Sequence, residues 1–216
     1  MYMDALLRSQ FGKPSGLIGA LFMGPILNLS NARLVNAAVD LLDPRAKDTI
    51  LDIGFGGGRS LLTLAAKAPE AKIVGIDYSR EMVDKAARLI RDKNLDARVS
   101  VKWGNVAQLP FRAGTFHKIL TVNSLYYWPD LAANLREVAR VLKRGGTLAA
   151  AFRSTASLGP LTRGWQGFSL YEPDEFADIM CAAGFDVLRV EHRDRGDVLD
   201  TVVAIGRKPA RVSPPA

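Results

Sequence analysis

Four of the five positions from Gly54 to Gly58 are glycine. They stand between an apolar run of β character, Thr49–Ile53, and a stretch from Arg59 to Lys67 with Leu61, Leu62, Leu64 and Ala65 at helical spacing. Glycines let a backbone turn tightly and let a ligand approach with no Cβ in the way. The helix beyond offers unpaired N–H groups and the positive end of its dipole. A strand, such a turn and a helix open a βαβ unit, which commits the chain to a mostly parallel sheet.

The alternation continues downstream. Lys72–Ile76 reads as a second strand. Ser79 is the expected N-cap of a helix carrying Met82, Val83, Ala86, Leu89 and Ile90 as an apolar stripe. Arg98–Trp103 is a third strand, His117–Val122 a fourth, and Asp130–Leu142 a helix. Gly145-Gly146 turns the chain into a fifth strand, Thr147–Phe152. Residues 154–170, rich in Gly, Ser and Thr, read as a loop. Pro173 opens a helix that Gly184 stops. Asp186–His192 and Val198–Gly206 are two last β runs, joined by residues 193–197 as a hairpin.

Upstream, Asn31–Leu42 is an amphipathic helix. The expected organisation is an N-terminal cap over residues 1–30, one α/β domain over 31–208 and a loose tail over 209–216. The length of 216 residues suits a single domain, and the 48% hydrophobic content supplies its core. The apolar run from Gly16 to Leu27 is too short to span a bilayer. The lone cysteine, Cys181, excludes a disulfide framework and reads as a buried small hydrophobe; the expected location is cytoplasmic. The net charge of +7 raises nucleic acid or an anionic surface as partners. Its basic residues, however, are dispersed into groups such as Arg140, Lys143 and Arg144, which read as solvated faces.

What the glycine turn holds is narrowed by elimination. A dinucleotide fingerprint needs Gly or Ala where Arg59 or Leu61 stands, and a P-loop needs a Gly-Lys-Ser/Thr that does not follow. Asp77 lies 19 residues after Gly58, at the end of the second strand. A carboxylate there can accept both hydroxyls of a ribose. Turn and acid together mark an adenosine ligand without a pyrophosphate.

At this point a resemblance is plain. Asp52-x-Gly54-x-Gly56-x-Gly58 resembles the first motif of the class I S-adenosylmethionine-dependent methyltransferases, and Gly75-Ile76-Asp77-Tyr78-Ser79 the second. Gly104-Asn105-Val106 with Leu109-Pro110-Phe111 is similar to the third. The segment from Val122 to Trp128 is similar to the fourth, and that from Arg136 to Gly146 to the helix and turn before the fifth strand. The resemblance covers residues 45–155. It implies a Rossmann-like, doubly wound seven-stranded sheet of order 3-2-1-4-5-7-6 with strand 7 antiparallel, plus an N-terminal helical cap. It implies S-adenosylmethionine as cofactor and S-adenosylhomocysteine as product. Asp52 would hold the methionine amino group, and Gly54, Gly56 and Gly58 would pack beneath the cofactor. Asp77 would bind the ribose, Tyr78 would flank the adenine, and Met82 would line the same pocket unless it is helix core. Asn105, where the family often has Asp, would contact the adenine amino group with Val106 beside it. Asn123 would face methionine or acceptor.

Methyl transfer from a sulfonium needs mainly alignment in a dry pocket, and a base only where the nucleophile must lose a proton. No catalytic base is named: His117 and His192 both read as surface residues. Tyr126, Tyr127, Trp128 and Trp165 are the candidate acceptor contacts. The apolar, aromatic character of residues 1–30 and 154–171 favours a small, partly hydrophobic acceptor. The alternatives are a lipid or quinone methyltransferase in peripheral contact with a membrane, a nucleic-acid methyltransferase, and a non-catalytic module that binds S-adenosylmethionine. The nucleic-acid reading is disfavoured because Asn123 is followed by Ser124-Leu125-Tyr126, not a Pro-Pro-aromatic tetrad. Oligomeric state has no sequence signal.

Overall fold

A computed structural model describes residues 24–162, 167–193 and 199–210. Helix α1 is Gly24–Leu42. It is followed by β1 (Thr49–Ile53), α2 (Arg59–Lys67), β2 (Lys72–Asp77), α3 (Arg80–Asp92), β3 (Val99–Trp103) and β4 (Phe116–Val122). Then come α4 (Leu131–Val141), β5 (Leu142–Phe152), α5 (Thr155–Thr162), α6 (Pro173–Ala182), β6 (Asp186–Arg193) and β7 (Thr201–Arg207). The seven strands form one sheet in the order β3-β2-β1-β4-β5-β7-β6. The first five are parallel. β7 runs antiparallel to both β5 and β6. The doubly wound order expected from the resemblance is therefore present.

Both faces of the sheet are buried, so its central strands are apolar without alternation. Ile50, Ile73, Leu120 and Ala149 pack under α1, α2 and α3 with Leu34, Leu61, Leu64 and Ala86. Leu51, Ile119, Leu148 and Phe152 pack on the opposite face against Leu135 and Val138 of α4 and Phe176 and Met180 of α6. The parallel strands all end at one edge, where the loops of the site lie.

Four local expectations are corrected. First, α1 already includes residues 24–30 and does not open at Asn31. Residues 1–23, the rest of the expected cap, lie outside the described residues. Second, Gly145-Gly146 is an irregularity within β5, not a turn before it. The pairing jumps from Phe116↔Leu142 to Lys118↔Thr147, with Gly145 at φ +75°. Third, residues 155–162 form α5 despite Pro160, because tertiary contacts hold its start. The Ser154 N–H donates to the buried Asp200 carboxylate at 3.2 Å, and the Asp200 N–H donates to Ser157 Oγ at 3.1 Å. Fourth, Cys181 is exposed on α6 rather than buried. Among the described residues, no helix is long and apolar enough to cross a membrane.

Candidate functional site

The turn after β1 uses its glycines for different reasons. Gly54 has φ +72° and donates its N–H to the Ile76 carbonyl at 2.8 Å. A Cβ on it would lie 2.4 Å from Ser124 Cβ, so the end of β4 closes that side of the turn. Gly56 has φ +53°, yet a Cβ on it would meet nothing within 4 Å among the described residues. Its conformation admits glycine while its surroundings stand open, as a cradle for a ligand requires. Gly58 is the N-cap of α2.

Two carboxylates border this cradle. Asp52, at 1% exposure, has no hydrogen-bond partner on either oxygen among the described residues. Burial pushes its carboxyl up to about 7; the Ser60 hydroxyl in the first turn of α2 offsets this in part, and the charge of Asp77 adds to it. Ser60 is near enough to act on the carboxyl but makes no hydrogen bond of ordinary geometry to it. A buried acceptor with no donor is rare in a folded protein and points to a missing partner. Asp77 is instead held: the Gly56 N–H donates to Oδ2 at 2.8 Å and the Ser79 N–H to Oδ1 at 2.9 Å. Each oxygen keeps acceptor capacity beyond those bonds.

Beyond Asp77 the surface is aromatic. Tyr78 is 72% exposed, with its ring centroid 6.3 Å from that of Trp103. The Trp103 indole N–H donates to the Tyr78 carbonyl at 2.9 Å, and the Arg80 guanidinium lies 4.5 Å over the indole ring. Sequence reasoning missed Trp103 and Arg80. The signal was in the register, since Trp103 pairs with Asp77 across β2 and β3. Met82 is half-buried in the first turn of α3, where its N–H donates to the Ser79 hydroxyl at 3.3 Å, and it belongs to neither core cluster. Asn105 is exposed, and its Oδ1 accepts the Ala107 N–H at 3.0 Å, which leaves that oxygen one further lone pair. Val106 is buried.

The structure splits the acceptor-side residues. Asn123 takes φ +54° at the end of β4. Its Nδ2 donates to Asn31 Oδ1 of α1 at 3.0 Å, and its Oδ1 accepts the Tyr126 hydroxyl at 3.1 Å. Both ends of the amide are thus engaged within the protein. Tyr126 is buried, and burial pushes its phenol far above its ordinary value. Trp128 is buried in the core. Tyr127 remains 58% exposed, edge-on to Phe168 at 5.2 Å between centroids. Trp165 lies outside the described residues. Phe168, one of the aromatic residues that give residues 154–171 their apolar character, also stacks on Tyr126 at 4.8 Å.

A family model described as a methyltransferase domain matches residues 50–146, the span that carries the glycine turn, both carboxylates and the end of β4. Those residues of the chain therefore resemble a methyltransferase domain. It is 32% identical over 123 residues to the 27-O-demethylrifamycin SV methyltransferase of Amycolatopsis mediterranei, covering 57% of this chain and 45% of that relative. It is 28% identical over 152 residues to the demethylmenaquinone methyltransferase of Lactobacillus johnsonii, covering 70% of this chain and 62% of the relative. The chain spans 31%, 45% and 60% of the length of three of the curated relatives it matches. In fold it is similar to a geranyl diphosphate methyltransferase solved in complex with SAM, with a TM-score of 0.73, 17% identity and 94% of each chain covered.

Several other titratable groups hold the frame around the turn. Glu137 of α4 accepts the Leu109 N–H at 2.8 Å, and Arg140 donates to the Phe111 and Leu109 carbonyls at 2.8 and 3.1 Å. The Arg140 guanidinium holds the Glu137 carboxyl below its ordinary value. These two side chains fasten the 105–111 loop to α4. His117 stands at the opposite edge of the sheet, at the start of β4, where its Nδ1 accepts the Thr49 N–H at 2.9 Å. His192 pairs with Asp200 at 2.8 Å beside the start of β7.

Proposed function

We propose that this chain transfers a methyl group from S-adenosylmethionine to a small, partly hydrophobic acceptor. The observation that carries the reading is Asp52: a buried carboxylate with no donor among the described residues, beside an open glycine turn. The cofactor's ammonium group supplies the missing donor and charge. When bound, the cofactor supplies an electrophilic methyl carbon on a sulfonium leaving group.

The chain's own residues bind and orient. Asp52 holds the amino-acid end, Gly54, Gly56 and Gly58 let the backbone approach, and Asp77 accepts from the ribose hydroxyls. Tyr78 and Met82 flank the adenine, and Asn105 and Val106 form its far wall. Burial pushes the Tyr126 and Tyr127 phenols above their ordinary value, which makes them poorer candidates for a base. The acceptor side is bordered by the exposed Tyr127, which offers a ring face and a hydroxyl. Relatives named for acting on demethylrifamycin and demethylmenaquinone support a small organic acceptor.

The test is calorimetric titration with S-adenosylmethionine and S-adenosylhomocysteine, with NAD as control, followed by an acceptor screen. Binding of both adenosyl ligands with no binding of NAD is expected. Failure of both to bind, or tight binding of NAD, overturns the reading.

A further inference from the structure

Ser30 and Asn31 are consecutive residues of α1, and they reach two different strand ends. Ser30 accepts from Arg153, just past β5, through its carbonyl at 2.9 Å and its hydroxyl at 2.8 Å. Asn31 accepts from Asn123, just past β4, at 3.0 Å. The two anchor points are joined below. The Tyr126 hydroxyl donates to Asn123 Oδ1 at 3.1 Å and accepts the Arg153 N–H at 2.5 Å. Arg153 is 1% exposed, and its guanidinium also donates to the Leu199 carbonyl, the Asp200 carbonyl and Thr201 Oγ1.

The same strand end walls the cradle. Ser124 stands against Gly54, and the Ser124 and Thr121 hydroxyls both donate to the Ile53 carbonyl, at 3.3 and 3.1 Å. Asn123 is therefore the joint between two systems: one set of bonds runs back to α1, and its neighbour Ser124 sets the position of the first turn glycine. Its left-handed backbone is one that a side-chain amide tolerates better than most, and bonds at both ends of that amide hold it there.

We propose that Asn123 is a positioning residue that makes docking of α1 and occupation of the glycine turn one cooperative event. Resting on the adenosyl reading above, the inference is that ligand in the turn fixes Ser124, Ser124 fixes Asn123, and Asn123 holds α1 through Asn31. The link is polar and narrow, so it can open without exposing apolar core, unlike the packed remainder of α1.

A charge cycle tests this. In Asn31→Asp or Asn123→Asp alone, the remaining amide can rotate to donate to the new carboxylate. In the double variant two carboxylates face each other and the link is broken. The expected result for S-adenosylhomocysteine at pH 8 is a loss in the double variant about tenfold beyond the product of the two single effects. Hydrogen exchange supplies the second readout. In the wild type, ligand should slow exchange over residues 30–36, and in the double variant that slowing should disappear. If the double variant exchanges faster there by the same factor with and without ligand, and the affinities multiply, the link is merely structural and the inference falls. If ligand never slows α1 in the wild type, it falls as well. Failure of the wild type to bind S-adenosylhomocysteine at all would overturn the adenosyl reading, and this inference with it.

Discussion

The Gly56 N–H donates to the Asp77 carboxylate at 2.8 Å, across 21 residues of chain. The acid that would bind the ribose therefore also shapes the turn that would lie beneath the cofactor. Asp77→Ala should remove both functions and weaken S-adenosylhomocysteine binding by about 100-fold or more, roughly 3 kcal/mol, as expected for charge-assisted bonds. Asp77→Asn retains one acceptor and should fall between that and the wild type. Calorimetry on the three proteins reads the series; equal affinities would remove Asp77 from the site.

Asp52 predicts an opposition between stability and binding. Its folded carboxyl is raised from 3.8 to about 7, so its favourable contribution is complete below the unfolded value and is lost as pH rises through about 7. Asp52→Asn escapes that loss. The ligand-free variant should be more stable than the wild type at pH 8 by on the order of 2 kcal/mol, with the gap narrowing toward pH 5. Denaturant melts at the two pH values measure it. The same variant should bind S-adenosylhomocysteine poorly, since its amide carries no charge for the ligand's ammonium.

The same titration gives wild-type binding a pH dependence. A cationic group beside Asp52 favours the ionised carboxylate, so affinity should weaken as pH falls below about 7, by up to about tenfold per unit. A flat profile from pH 8 to pH 5 would mean that Asp52 does not meet the ligand's charge.

Two glycines separate folding from binding. Alanine at position 54 would drive its Cβ to 2.4 Å from Ser124, and Gly54→Ala should destabilise the fold by about 3 kcal/mol from overpacking and left-handed strain. Alanine at position 56 meets open space, so Gly56→Ala should cost only the backbone term, about 1–2 kcal/mol, while blocking the ligand. Thermal melts paired with binding isotherms distinguish the two.

Glu137 carries a stability prediction away from the turn. Arg140 holds its carboxyl below the ordinary value of 4.5, so its contribution is present above that value and is lost as pH falls through the lowered one. Glu137→Gln should cost about 0.5–1 kcal/mol at pH 7, allowing for solvent around the guanidinium, and nothing near pH 2. Urea melts at both pH values check the sign.

Much of this was written locally. The glycine cluster, the apolar runs of the central strands and the Ser79 and Asp130 caps depend on neighbours a few residues away. Hydrophobic period and backbone freedom therefore located most elements to within a few residues, and Asp77 followed from its place at a strand end. The resemblance supplied the sheet order that the structure bears.

The rest depended on partners distant in sequence. Gly145-Gly146 reads as a turn until β4 is beside it and the excess residues become a bulge in β5. Residues 155–162 have a proline and little amphipathicity, and they become helical because Asp200, 46 residues from Ser154, receives the Ser154 N–H. A left-handed Asn123, bonded to a residue 92 positions earlier, leaves no local pattern to read. The sequence by itself determined the order of elements and the chemistry of the turn, because periodicity, glycine and strand-end acids act at short range. Only the tertiary structure decided that Asp52 is buried with no hydrogen bond from the described residues while both ends of the Asn123 amide are engaged, since burial and hydrogen-bond partnership belong to the packed chain and to no segment of it.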